Sequence, residues 1–177
     1  MAVLGIRMFG DPILRQRASE VGEITDLHRK LIANMIETMH EAPGVGLAAP
    51  QVGVLERIFV YAVDETVGAI INPEIIVHSQ EKETDIEGCL SLPGLSYPVE
   101  RAVSVTIRGL DENGEPVEID ADGLLAVVFQ HEFDHLDGVL FIDHLPGDMR
   151  KEALRTLRDQ ALGLTVPSFA PAPEERL

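Results

Sequence analysis

The chain has 177 residues, of which 45% are hydrophobic and 25% are charged, and this composition is typical of a globular protein with one hydrophobic core. No apolar run approaches the roughly 20 residues that cross a bilayer, and the N-terminus lacks the charged and apolar segments of an export signal, so we expect a cytoplasmic protein without a membrane partner. The net charge of −16 argues against general nucleic-acid binding, DNA included, because phosphate contacts need a basic surface.

Two helices are predicted in the N-terminal quarter of the chain. Asp11 followed by Pro12 is typical of a helix start, and we expect a short helix there. Thr25 or Asp26 is predicted to begin a longer helix that ends before Pro43. Six apolar residues fall on one face of that helix, namely Leu27, Leu31, Ile32, Met35, Ile36 and Met39. Residues 44–53, GVGLAAPQVG, are predicted to follow as a loop of small residues.

The middle of the chain has the pattern of short β-strands. Strands are predicted at residues 58–63, 69–77, 103–109 and 116–120, and Pro73 is expected to break the second of them. The dipeptide Asn113-Gly114 is a strong hairpin signal between the last two. Strands and helices do not alternate regularly, so the sequence indicates an α+β fold with antiparallel sheets.

The C-terminal third is predicted to contain two more helices. The first, ending near Gly138, is apolar on nearly every side before its histidines, which predicts a buried central helix. A last helix is expected at about residues 147–162 and carries four basic residues: Arg150, Lys151, Arg155 and Arg158. The usual interpretation of such a helix is a solvated amphipathic surface. An alternative is a transient contact with ribosomal RNA.

The stretch QHEFDHLDG, residues 130–138, has the spacing of a metal site. His131 and His135 are four residues apart, so their imidazoles lie on one face of a helix and can bind one ion. Glu132 follows the first histidine, where it can take a proton from a water molecule, as in the H-E-x-x-H pattern of metal hydrolases. Two exposed, unliganded histidines are the alternative, but the buried character of the helix disfavours it.

A catalytic metal needs a third protein ligand, and the sequence offers several. Glu152, Asp143 and His144 lie downstream, whereas Cys89 lies upstream in EGCLSLPG. A thiolate is a better ligand than a carboxylate for a soft or borderline divalent ion, so we favour Cys89. Two histidines and one thiolate leave a coordination position open for water, which is typical of a catalytic site.

The glycine-rich stretch GVGLAAPQ, residues 44–51, fits a dinucleotide-binding pattern only superficially, because it follows a helix and runs into Pro50. A flexible connector is one interpretation. The other is that its backbone passes close to the metal and that the Gln51 amide stabilises an oxyanion. The backbone N–H of Leu90, beside Cys89, is a second candidate donor.

Taken together, GVGLAAPQ, EGCLS and QHEFDH resemble, in this order and spacing, the three motifs of the peptide deformylases. The resemblance implies that Cys89, His131 and His135 bind one divalent metal and that Glu132 is the general acid and base. It also implies that Gln51 and Leu90 hold the oxyanion. The metal is expected to be Fe²⁺ in the cell, with Zn²⁺, Ni²⁺ or Co²⁺ as substitutes.

The implied reaction removes the formyl group from the initiator methionine of new polypeptides and releases formate. A metal-bound water is expected to attack the formyl carbonyl, and the partners are N-formyl-methionyl nascent chains. Residues 1–163 are expected to form the catalytic domain, followed by a disordered proline-rich tail, residues 164–177. The methionine pocket implied by the resemblance comprises Val45, Gly46, Leu124, Val127 and Val128.

Three further features follow from the resemblance or compete with it. Glu87 is expected to support a metal ligand without binding the metal itself, with Arg101 as its partner. Ser96 stands near the place where many bacterial members carry an arginine facing the substrate, which is a departure from the family pattern. The competing hypotheses are a zinc endopeptidase and a non-catalytic metal-binding module whose site is closed by a fourth ligand, His144.

Overall fold

The structure is a computed structural model that describes residues 1–164. The predicted disordered tail, residues 164–177, therefore lies outside the described residues except for Leu164. Within residues 1–164, no helix combines the length and the apolar character needed to span a membrane.

Residues 1–164 contain three α-helices. They are α1 (Asp26–Glu41), α2 (Gly123–Leu136) and α3 (Gly147–Ala161), and short 3-10 turns occur at Pro12–Arg15, Ala49–Val52 and Phe141–His144. The predicted helix start at Asp11 is confirmed, because its side chain accepts a hydrogen bond from the N–H of Ile13 at 3.1 Å. The predicted apolar face of α1 is wrong at one position, since Leu27 is 78% exposed in the first turn.

In the described part of the chain, seven strands form two antiparallel sheets, which confirms the α+β prediction. The strands are β1 (Gly46–Ala48), β2 (Ile58–Val63), β3 (Thr66–His78), β4 (Lys82–Glu87), β5 (Tyr97–Ala102), β6 (Ser104–Leu110) and β7 (Pro116–Asp122). The larger sheet has the order β1-β2-β3-β6-β7, and β4 pairs with β5 in the smaller one. The hairpin predicted at Asn113-Gly114 connects β6 and β7, and Gly114 has a φ of 82°.

The prediction that Pro73 breaks the strand at residues 69–77 is wrong, because β3 runs from Thr66 to His78. β3 continues through Pro73, because the register with β6 shifts between Ile71 and Glu74 and no ladder N–H is required at the proline. Asn72 takes a φ of 51° at this irregularity. Its side chain bonds both the N–H and the carbonyl of Val21, at 2.8 and 2.9 Å, and these bonds stabilise the unusual conformation.

The prediction that residues 44–53 form only a loop is also wrong. β1 pairs with β2, with Leu47 opposite Val60, and a 3-10 turn follows at once. Both Leu47 and Val60 are fully buried, so this short stretch is part of the core. The backbone from Gly46 to Gln51 is therefore held in place by the sheet, and this rigidity matters for the site.

Helix α2 is the predicted buried central helix. Phe129 is fully buried and packs edge-on against Tyr61 with ring centroids 4.9 Å apart. Val128 is buried beside it, whereas Leu124 and Val127 are only partly buried. The helix ends before Gly138, whose φ is 73° and where an added Cβ would lie 2.7 Å from the backbone of Arg15.

The C-terminal helix α3 packs on a separate cluster beside the smaller sheet. Ala153 and Leu157 of α3 are buried there with Leu92 and Leu95, and Cys89 is packed against the same cluster. The amide of Gln160 also donates a hydrogen bond to the carbonyl of Pro93 at 3.2 Å. α3 thus supports the turn that carries Cys89.

Candidate metal centre

The predicted ligands come from two elements that meet at one point. His131 and His135 lie one turn apart on α2, and their ring centroids are 5.0 Å apart. Cys89 lies just beyond the end of β4, and its Sγ is 3.4 Å from Nε2 of His135. One ligand atom from each of the three residues lies within 4.8 Å of the others.

This donor set fits a single metal ion. Tetrahedral bonds of about 2.0–2.3 Å from zinc to nitrogen and sulfur place two ligand atoms of one ion roughly 3.5 Å apart, and Sγ of Cys89 lies 3.4 Å from Nε2 of His135. Thiolate and imidazole together suit zinc and the neighbouring transition metals rather than Mg²⁺ or Ca²⁺. The Cys-His-His cluster indicates a site for one metal ion per chain.

The other three candidates for the third ligand lie elsewhere. Asp143 is bonded to Arg15 and to the N–H of Leu140. Nε2 of His144 lies 2.8 Å from Oδ2 of Asp134, and Glu152 is exposed on α3. In the described part of the chain, none of the three belongs to the cluster of possible metal ligands.

His131 is hydrogen-bonded to a buried ion pair formed by Glu87 and Arg101. Oε2 of Glu87 accepts a hydrogen bond from Nδ1 of His131 at 3.0 Å, which leaves Nε2 of that ring available to a metal. Arg101 donates to both oxygens of Glu87, at 2.7 and 3.0 Å. Burial favours the neutral form of this carboxyl, but the hydrogen bonds from Arg101 and His131 outweigh burial and lower the pKa of Glu87 to about 2.

The ion pair extends to the surface through a residue that the sequence analysis missed. Arg101 also donates to Oδ2 of Asp134 at 2.7 Å, and His144 contacts the same oxygen at 2.8 Å. Arg101 is only 7% exposed, so its charge is balanced by two carboxylates in a poorly solvated place. Asp134 lies between His131 and His135 in the sequence. In the sequence, this position was the only indication that Asp134 belongs to the site.

Glu132 lies beside the cluster and is 4% exposed. Its Oε2 has no hydrogen-bond partner within the described part of the chain. Burial raises the pKa of Glu132 to about 7, because water no longer solvates its charge. A carboxyl group with a pKa near neutrality is suited to take up and return a proton.

The predicted oxyanion donors lie next to Cys89. Gln51 is 1% exposed, and its Nε2 lies 3.6 Å from Sγ of Cys89. The same nitrogen donates to Oγ of Ser91 at 3.1 Å, a contact that the sequence analysis did not anticipate. Leu90 follows Cys89 directly and is partly buried against the core.

The predicted methionine-pocket residues are spread over two places. Leu124 and Val127 line a cavity of about 380 Å³ that Glu87 also borders. Gly46 lies against Glu132 at the start of β1, directly after Val45, and Val128 is 4% exposed in the core. The outer wall of the cavity carries three acidic residues, Glu83, Asp85 and Asp122.

Comparisons with known proteins agree with one another. The profile of the polypeptide deformylase family matches residues 3–151. A peptide deformylase from Acidothermus cellulolyticus is 54% identical over 159 residues, which are 90% of this chain and 88% of the relative. The crystal structure of peptide deformylase from Ehrlichia chaffeensis superposes with a TM-score of 0.87 at 38% identity and covers 92% of this chain and 98% of that one. A structure of the Ehrlichia chaffeensis protein in complex with actinonin also has a TM-score of 0.87, at 40% identity, and covers 90% and 98% of the two chains.

Proposed function

The chain belongs to the polypeptide deformylase family and is a deformylase, and from this premise we propose that it removes the N-formyl group from the initiator methionine of new polypeptides with one metal ion held by Cys89, His131 and His135. The observation that carries the proposal is the meeting of these three side chains beside the buried carboxyl of Glu132. The products are formate and a polypeptide with a free amino group.

A divalent metal at this site supplies Lewis acidity, which lowers the pKa of water towards neutrality and polarises the carbonyl under attack. Glu132 is not counted among the ligands, and its pKa near 7 allows it to take a proton from the attacking water and to deliver it to the leaving amine. Gln51 donates its side-chain N–H, and Leu90 its backbone N–H, to the oxygen of the formyl group as negative charge develops there.

At the substrate end of the site, the methionine side chain is proposed to contact the apolar part of a cavity whose lining also contains charged residues. Leu124 and Val127, which line the 380 Å³ cavity, are its proposed wall, and Val45, Gly46 and Val128 are further candidates. The apolar wall suits a thioether. Because the substrate is a nascent chain, we expect the protein to act in the cytoplasm.

The metal in the cell is proposed to be Fe²⁺, although the same donors also accept Zn²⁺, Ni²⁺ and Co²⁺. A ferrous ion beside a thiolate is sensitive to oxygen. The Fe²⁺ form should therefore lose activity in air while the Ni²⁺ form keeps it. Equal loss from both forms would argue against iron.

A transient ribosome contact through α3 is a further part of the proposal. Arg150 is bonded to Asp143 and Arg158 to Asp159. Within residues 1–164, Lys151 and Arg155 are the basic residues of α3 without an ion pair, so they are the proposed contacts. Changing Lys151 and Arg155 to glutamate should reduce co-sedimentation with ribosomes while formate release from a short peptide stays the same. Unchanged co-sedimentation would contradict the proposed ribosome contact.

The competing functions make different predictions. A zinc endopeptidase would cleave an internal bond of an unformylated peptide, and a non-catalytic module would need a fourth ligand to close the site. His144, the nearest spare ligand, is bonded to Asp134 instead.

The decisive assay compares three peptides of the same sequence, carrying a formyl group, an acetyl group or a free amine at the N-terminal methionine. The protein is purified without oxygen and loaded with Fe²⁺ or Ni²⁺. We expect formate from the first peptide and no cleavage of the others. Cleavage of an internal bond would favour the peptidase, and no reaction with any peptide would contradict the proposed function.

A further inference from the structure

The side-chain amide of Gln51 is held at both of its ends. Its Oε1 accepts a hydrogen bond from the backbone N–H of Ala48 at 2.9 Å, and its Nε2 donates to Oγ of Ser91 at 3.1 Å. Because the partner of Oε1 is a donor, the oxygen and nitrogen ends of this amide are not interchangeable. The plane of the amide is therefore fixed by one backbone group and one side chain.

The contact with Ser91 determines what the second N–H of Gln51 faces. A primary amide carries two N–H donors, and one of them is used by the serine hydroxyl. The same nitrogen also donates to Sγ of Cys89 at 3.6 Å, so the second N–H faces the proposed metal ligands. Ser91 has no exposed surface, and water cannot replace its hydroxyl without a rearrangement.

The backbones of the two residues are tied to one short N-terminal segment. The N–H of Arg7 donates to the carbonyl of Gln51 at 2.7 Å, and the N–H of Phe9 donates to the carbonyl of Ser91 at 2.8 Å. Since these donors are two residues apart in the chain, the segment fixes the distance between the two acceptors. The hydroxyl and the amide thus meet in a preformed geometry.

We propose that Ser91 is a positioning residue for the reaction: its hydroxyl holds the Gln51 amide so that the second N–H, which faces Sγ of Cys89, is directed to the place where the oxygen of the formyl group binds. The inference rests on the proposed function. Ser91 does not touch the substrate and acts through Gln51. Preorganised donors of this kind are effective because they need no reorientation when charge develops.

The first test is the Ser91→Ala variant. We expect kcat to fall about tenfold, a part of the 10²–10³-fold loss that follows removal of an oxyanion donor, while KM and metal content stay the same. The matched control is Thr38→Val, which removes a buried hydroxyl bonded to Leu4 and Asn34 on α1. The control should lose comparable stability and keep its kcat. An unchanged kcat in Ser91→Ala would overturn the inference.

A double-mutant cycle separates positioning from packing. If Ser91 acts through Gln51, then Ser91→Ala should cause no further loss of kcat in a Gln51→Ala background. An equal loss in both backgrounds would overturn the inference. Ser91→Thr and Ser91→Val place side chains of the same shape in a buried site, so both variants carry the same strain. They differ because threonine keeps the hydroxyl and valine has a methyl group in its place. The threonine variant should be about tenfold faster than the valine variant, since it alone keeps the hydroxyl.

A structural readout does not depend on turnover. Crystals of metal-free Ser91→Ala should show the Gln51 amide displaced or in more than one orientation, and an amide unchanged from the wild type would count against the idea. Activity of the wild-type protein distinguishes a failure of the proposed function from a failure of the role of Ser91. No formate release by the metal-loaded wild type would refute the proposed function, whereas an active wild type with an equally active Ser91→Ala refutes only the role of the serine.

Discussion

Replacing Gly46 with alanine would place a methyl group against the proposed general base. An ideal Cβ at this position lies 2.8 Å from Cδ and 2.9 Å from Cγ of Glu132. Ordinary contacts between carbon atoms are about 3.5–4.0 Å, so the overlap is about 1 Å. β1 is paired with β2, and Glu132 is anchored in α2 and 4% exposed, so neither side can move freely.

The size of the effect follows from this overlap. Overpacking of a buried site costs about 1–3 kcal/mol of stability, because side chains leave their preferred rotamers or the backbone shifts. A displacement of a catalytic group by about 1 Å costs on the order of 100-fold in rate. We therefore expect Gly46→Ala to fold with reduced stability and to lose on the order of 99% of its turnover while keeping its metal.

Urea denaturation and formate release measure the two effects, with Gly22→Ala as the control. An added Cβ at Gly22 meets no atom within 4 Å, so that variant should resemble the wild type. Combining Gly46→Ala with Glu132→Ala removes the colliding atoms and should restore most of the lost stability. If Gly46→Ala is as stable and active as the control, or if the double variant recovers nothing, the steric argument is wrong.

Three other variants test the site and the fold around it. Glu132→Gln should bind one equivalent of metal yet release no formate, because the lost carboxylate is a base and not a ligand; metal loss measured by elemental analysis would contradict that role. Glu87→Gln should weaken metal binding about 10–100-fold in a chelator competition, since Glu87 orients the ring of His131, and an unchanged affinity would show that the ring is held by other contacts. Burial favours a neutral Asp143, but hydrogen bonds from Arg15 and from the backbone of Leu140 outweigh burial and lower the pKa of Asp143. Because the lowered pKa belongs to the folded state, this stabilisation is complete above the ordinary value of 3.8 and is lost as the pH falls below it. Asp143→Asn should therefore cost about 1 kcal/mol at pH 7 and almost nothing in strong acid, and a cost that is the same at both pH values would refute the ionic explanation.

The helical half of the site was predictable because its spacing is local. His131 and His135 are one helical turn apart, and the apolar residues before them indicate a buried helix. Cys89 lies 46 residues from His135, and no periodic pattern links them. The preference for Cys89 came from thiolate chemistry and from the resemblance of three motifs, and the structure brings its sulfur to the histidines.

The features that the sequence analysis missed have physical causes. β4 has the sequence KETDIE, and most of its residues are exposed, so it lacks the alternating apolar pattern of a half-buried strand. β1 is only three residues long and is glycine-rich at its start, which suggested a loop. The bonds of Asp134 to Arg101 and of Ser91 to Gln51 join distant segments, and such side-chain contacts have no local signal.

The most direct test of the account is a titration of metal-free protein with Ni²⁺, in which formate release from an N-formyl-methionyl peptide is followed alongside bound metal. Activity should rise in proportion to bound metal and stop at one equivalent per chain. Glu132→Ala should bind the same equivalent without activity, and Cys89→Ala should neither retain the ion nor release formate. Formate release by the metal-free protein, or an active Cys89→Ala variant, would contradict the proposed site.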